Sequence, residues 1–192
     1  YSDQVCDAIS KLSQRLDWNV IDKVLQAIHD SDSVAFFGTQ FSHSAALHFQ
    51  TDLLMLEKFT MAYMETERQI DCARLMDENS VAIIVTVNGF YARSNSKVLQ
   101  YLKKSKCKVV LMTNNPGIDI GINVNYTIVL GDSEQRKIGK HTLLTAVELM
   151  SLRYYSLYYP GIQEKLSKKV LTFFYGRKKL CVRLNVKILQ KQ

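Results

Sequence analysis

Five short apolar runs punctuate the chain, the first four separated by longer stretches with apolar residues spaced three and four apart and the last two by a turn-rich loop. Val34-Ala35-Phe36-Phe37 is too short for a helix and meets a breaker at once in Gly38, which reads as a buried strand and a turn. Val81 to Val87 repeats the arrangement about fifty residues on, followed by the turn Asn88-Gly89-Phe90-Tyr91. Thr60–Met64, Lys108–Thr113 and Tyr126–Leu130 supply a second, fourth and fifth strand, and Asn114-Asn115-Pro116-Gly117 is a strong turn signal. Helical spacing is predicted over 2–16 (Val5, Ile9, Leu12, Leu16) and over Val20–His29, with Asp17 or Asn19 as its cap. Further helices are expected over 42–57 (Ala45, Ala46, Phe49, Leu53, Leu56), Glu67–Met76, Ala92–Lys104 and Lys140–Tyr158, where Pro160-Gly161 ends the last. A helix over Ile162–Tyr175 and an alternating, edge-strand-like stretch over Leu180–Ile188 complete the pattern.

Strands that alternate with helices imply βαβ units and a parallel sheet, and continuous apolar strands imply a sheet covered on both faces. The expected fold is therefore α/β, a three-layer α-β-α sandwich. Five strands permit the order 2-1-3-4-5. Strands 1 and 3 are then neighbours, and a ligand site is expected between them at the carboxyl ends of the strands. The two glycine-bearing loops follow those two strands. Ser42 and Ser44 are candidate N-caps for the helix after strand 1, and unpaired N–H groups at a helix start attract anions, phosphate above all.

Composition narrows the classes. A chain of 192 residues is long enough for a sizeable core. No apolar run reaches the length of a membrane span, and the N-terminus lacks the signature of a signal peptide. The net charge of +7 is lopsided. Residues 1–160 carry 16 Lys/Arg against 17 Asp/Glu, and residues 161–192 carry 9 against 1. The basicity belongs to a C-terminal tail, which alone supports only non-specific, salt-sensitive contact with nucleic acid. Cys6, Cys72, Cys107 and Cys181 are scattered, as expected of small buried hydrophobes in a reducing, cytoplasmic setting. No His or Cys pair has metal-ligand spacing, so neither a metal nor another cofactor is expected. No lysine follows the glycines as in a phosphate-binding nucleotide loop.

Strand, Gly-x-x-x-Ser, helix, then strand, Thr-x-Asn-Gly, helix, resembles the SIS (sugar isomerase) phosphosugar-binding domain over about Val20 to Tyr159. More narrowly the chain is similar to the C-terminal effector domain of RpiR-type transcriptional regulators, which begin with two helices and continue into a long helix after strand 5. The resemblance implies a flavodoxin-like SIS fold over 1–175 including the two N-terminal helices, with 176–192 as a basic tail. It also implies that an N-terminal helix-turn-helix domain of the full-length protein is absent, in keeping with a chain that opens on Tyr1. The family's first motif resembles Gly-x-Gly-x-Ser-x-x-x-Ala; Gly38, Ser42 and Ala46 match and Gln40 replaces the second glycine. Its second resembles Ser-x-Ser-Gly-x-Thr; Gly89 matches, and Thr86, Asn88 and Tyr91 replace the two serines and the threonine.

What the resemblance implies is a sensor. A phosphorylated sugar is expected across Gly38, Thr39, Gln40, Ser42, His43 and Ser44 of the first loop and Thr86, Asn88, Gly89 and Tyr91 of the second. No catalytic residue is expected. Isomerisation of aldose and ketose phosphates needs a general base and commonly a histidine, and the candidates are Glu148, placed at the start of the long helix, and His141. The alternatives are thus a phosphosugar isomerase and a degenerate SIS domain serving as a dimerisation module. Expected partners are the sugar phosphate and further copies of the chain in a homodimer or tetramer. DNA is expected only through the absent N-terminal domain, and no membrane partner is expected.

Overall fold

The computed structural model describes residues 1–131 and 138–159. It contains α1 (Ser2–Arg15), α2 (Trp18–Asp30), β1 (Ser33–Phe37), α3 (Phe41–Met55), β2 (Thr60–Ala62), α4 (Thr66–Leu75), β3 (Ser80–Val85), α5 (Phe90–Ser94), α6 (Ser96–Ser105), β4 (Lys108–Thr113), β5 (Tyr126–Val129) and α7 (Gly139–Tyr158). The helix expected over Ile162–Tyr175, the strand over Leu180–Ile188, the basic tail and Cys181 lie outside the described residues. The chain divides into two compact units, Tyr1–Tyr154 and Tyr155–Gln192. In the second, the described residues end with Tyr159, whose ring stacks on that of Tyr155 at 6.4 Å.

All five strands pair in parallel, in the order β2-β1-β3-β4-β5. The fold is the expected three-layer α/β sandwich. Every residue of β3 is buried, because this central strand is covered on both faces. The two-residue period of a strand then sorts the core. Ala35, Phe37, Ala82, Ile84, Val109 and Leu111 pack with Ile70 and Ala73 of α4, Tyr91 of α5, and Val98 and Leu102 of α6. On the opposite face Phe36 meets Phe49 of α3 at a ring-centroid distance of 5.5 Å. The buried stripes of α2 (Ile21, Val24, Leu25, Ile28) and α7 (Leu143, Val147, Met150, Tyr154) are at helical spacing. These four α7 side chains are buried within this chain, and Leu144 beside them is half-buried.

Local chemistry explains most boundaries. Asp17 caps α2, its carboxylate accepting from the N–H groups of Asn19 and Val20 at 3.0 and 3.2 Å. The stripe of α1 is Ala8, Leu12 and Leu16 with half-buried Val5, whereas Ile9, expected in the core, is exposed. The single helix expected over Ala92–Lys104 is two. The Asn95 amide and backbone N–H both donate to the Tyr91 carbonyl at 3.0 Å, which closes α5 before α6 begins. Cys72 and Cys107 are buried, as expected, but Cys6 is exposed on α1. No described helix is long and apolar enough to cross a membrane.

Candidate functional site

Register decides where the two loops meet. Phe37 of β1 stands beside Ile84 of β3, so the chain leaves both strands at the same edge and one residue apart. Gly38 opens the first loop under tight confinement. A Cβ there would lie 3.1 Å from the Ser42 Cβ and 3.3 Å from the Val85 carbonyl oxygen. Gly89 turns the second loop at φ +76°, and a Cβ would meet Ile118 at 1.9 Å. The left-handed backbone favours glycine at Gly89, and at Gly38 any side chain would push its neighbours aside by a few tenths of an ångström.

The first loop enters α3 differently from expectation. The N-cap is Gln40, at φ 49° and ψ −119°, with no side-chain capping bond. Ser42 and Ser44 are already inside the first turn; Ser42 N–H donates to the Thr39 carbonyl, and the Ser44 hydroxyl donates back to Gln40 at 3.4 Å. Gln40 thus holds a positive-φ backbone at a cost of about 1–3 kcal/mol for a residue with a side chain. α3 is 15 residues long, so its start carries both a dipole and N–H groups that the helix itself cannot satisfy. Thr39 and Ser42 are half-buried there, and Gln40 and Ser44 are exposed.

The second loop is held from beneath. The Thr86 hydroxyl is buried and accepts the Tyr91 N–H at 3.3 Å. Asn88 is half-buried, and its carbonyl accepts from Arg93 at 3.4 Å. The Tyr91 ring points into the core, 2% exposed, and burial pushes its hydroxyl's pKa upward. That hydroxyl donates to Gln69 Oε1.

Gln69, on α4 and 1% exposed, is the residue that sequence reasoning overlooked. Its Nε2 donates to the Gly38 carbonyl at 2.9 Å and to the Tyr63 carbonyl at 2.7 Å while its Oε1 accepts from Tyr91. One buried amide therefore ties the first loop, the end of β2 and the second loop together. A lone glutamine at an apolar helix position, between Arg68 and Ile70, was its only signal in the sequence.

His43 faces inward from α3, 8% exposed; desolvation lowers its pKa against a smaller opposing pull from Glu65. Glu148 is the tenth residue of α7, not near its start, and its exposed carboxylate bonds His48 Nε2 at 3.0 Å. Asp52, one turn beyond His48, approaches the same nitrogen at 3.9 Å. His141 lies in the first turn of α7 with a ring nitrogen 2.9 Å from the Tyr1 hydroxyl, and His29 contacts Tyr154. The α7 start itself is close to the loops, for a Cβ on Gly139 would lie 3.0 Å from Val87 and 3.1 Å from Asn114. The described structure therefore gathers the two loops, Gln69 and the α7 start at one sheet edge, and leaves Glu148 and His48 on the outer surface.

No family model matches the sequence, and no curated protein does either. Solved structures do. The sugar isomerase domain of an RpiR transcription factor from Sphaerobacter thermophilus is similar with a TM-score of 0.72 at 15% identity, over 88% of this chain and 94% of that one. NanR of Vibrio vulnificus, complexed with ManNAc-6P, gives a TM-score of 0.73 at 13% identity over 92% of this chain and 69% of its own. A phosphoheptose isomerase from Francisella tularensis gives 0.63 at 16% identity over 80% of this chain and 94% of that. Strand order, paired loops and these likenesses together show that the chain has the fold of the SIS phosphosugar-binding domain.

Proposed function

We propose that this chain is the sugar-phosphate-sensing effector domain of an RpiR-type transcriptional regulator. The observation that carries the reading is the pairing of two glycine-dependent loops on adjacent strands at the switch point of the sheet. The phosphate sits at the α3 start, where the dipole and unsatisfied N–H groups favour an anion. Thr39, Ser42 and Asn88 supply side-chain hydrogen bonds, since none of the three side chains is engaged among the described residues. Gly38 and Gly89 permit the close approach. Gln40, Ser44 and His43 flank the ligand, and Thr86 and Tyr91 hold the second loop in place from within. NanR, a fold neighbour, was solved with ManNAc-6P, which supports the ligand class.

The effector acts by favouring one arrangement of subunits in a homodimer or tetramer over another, and so the spacing of the attached DNA-binding domains. That requires unequal affinity for the two arrangements. DNA is bound through the N-terminal helix-turn-helix domain of the longer protein, and the setting is the cytoplasm. No bond is made or broken. A base beside the sugar carbons is what catalysis needs, and Glu148 is engaged with His48 on the surface instead.

Thermal unfolding against a panel of amino-sugar, hexose and pentose phosphates and their unphosphorylated parents tests the reading. A midpoint raised by one phosphosugar and not by its parent is expected, because a ligand selective for the native state stabilises it by mass action. Turnover of that compound would overturn the sensor in favour of an isomerase. No shift with any compound would leave a dimerisation module on a degenerate site.

A further inference from the structure

The geometry points to a divalent transition-metal site, of the zinc class, formed by His48 and Asp52 of α3 with Glu148 of α7. Their ligand atoms, one imidazole nitrogen and two carboxylate oxygens, all lie within 4.8 Å of one another. His48 Nε2 is 3.0 Å from Glu148 Oε2 and 3.9 Å from Asp52 Oδ2. In a tetrahedral site with bonds of about 2.0–2.1 Å, ligand atoms stand roughly 3.4 Å apart. Small side-chain rotations therefore bring the three around one ion, with the open fourth position filled by water.

Three features distinguish the group from a chance surface ion pair. The i, i+4 spacing of His48 and Asp52 places two donors on one ridge of a rigid helix, the spacing by which helices present paired metal ligands. The third donor comes from a different helix, 100 residues away in sequence, with its oxygen directed at the same point. Neither carboxylate is paired with a Lys or Arg among the described residues, so two anions share one imidazole. A dication balances that charge. The mixed nitrogen and oxygen donor set suits zinc or cobalt better than magnesium or calcium, which prefer oxygen alone. A bound ion clasps α3, which begins at the first loop, to α7, whose first turn lies against Val87 of the second. Metal binding at these three side chains requires no sugar phosphate.

Titration of the protein with cobalt(II), followed by visible absorption and reversed by zinc, is the test. One equivalent is expected, without the thiolate charge-transfer band that Cys6 ligation would produce. His48→Ala and Glu148→Ala should each weaken binding at least about tenfold, and the exposed positions leave folding intact. Cys6→Ser should bind as the unaltered protein does. Zinc should raise the thermal midpoint of the unaltered protein and not that of His48→Ala. No uptake at millimolar metal would overturn the site. So would binding unchanged in either alanine variant, or binding lost in Cys6→Ser.

Discussion

Replacing Gln69 with leucine removes the amide that joins the two loops while keeping the volume nearly constant. Three groups lose their partner: the buried Gly38 carbonyl and Tyr91 hydroxyl, and the carbonyl of half-buried Tyr63. Each unsatisfied group costs about 1–3 kcal/mol, and burying the leucine returns about 1.5–3 kcal/mol. Three such groups lose about 3–9 kcal/mol, so the net loss centres on about 4 kcal/mol, a midpoint fall of roughly 8–16 °C for a domain of this size. Tyr91→Phe alone strands only Gln69 Oε1 and costs about 1–2 kcal/mol. In the Gln69→Leu background the same change removes a hydroxyl that is already unpaired, so it should be neutral to stabilising. Urea unfolding of the four proteins, closed as a double-mutant cycle, should therefore give a coupling of at least about 1 kcal/mol. A Gln69→Leu variant as stable as the original, or two losses that simply add, would refute the bridge.

Three more predictions concern single residues. Gln40→Gly relieves a left-handed backbone at about 1–3 kcal/mol and gives back about 0.4–1 kcal/mol through the freer unfolded chain, so it should stabilise by about 1 kcal/mol in urea unfolding while Gln40→Ala should not. His43 has a depressed pKa when folded, so the unfolded chain takes up its proton first; this part of the stability is full above about pH 6.5 and is lost as the pH falls below it. His43→Gln should flatten that slope in unfolding measured between about pH 7 and pH 5. Burial raises the Cys72 thiol to about 11 and the Cys107 thiol also upward, so iodoacetamide at neutral pH should label Cys6 promptly and these two only after unfolding, as peptide mass mapping would show.

Sheet order and the placement of the loops were legible in the sequence because they rest on strong local signals. β4 matches its expected span Lys108–Thr113 because a run of apolar residues bounded by Cys107 and a turn admits little else. Boundaries moved where side chains compete with the backbone. Asn95 broke the expected helix by bonding to Tyr91, and Gln40 displaced Ser42 and Ser44 from the cap because the turn after Gly38 is so tight. The inward tilt of Tyr91 and the Gln69 bridge depend on a contact 22 residues apart, which no periodicity encodes. The same is true of the grouping of His48, Asp52 and Glu148: the two helices meet only once the sheet is formed.

The central claim is that a phosphosugar lies across the loops after β1 and β3. Amide chemical-shift mapping with the phosphosugar that raises the thermal midpoint tests it most directly. The largest changes are expected in Thr39–Ser44 and Thr86–Tyr91, and none with the unphosphorylated parent. Changes centred instead on the groove between α4 and α6, where Arg74, Lys97 and Lys104 offer a competing basic surface, would contradict it.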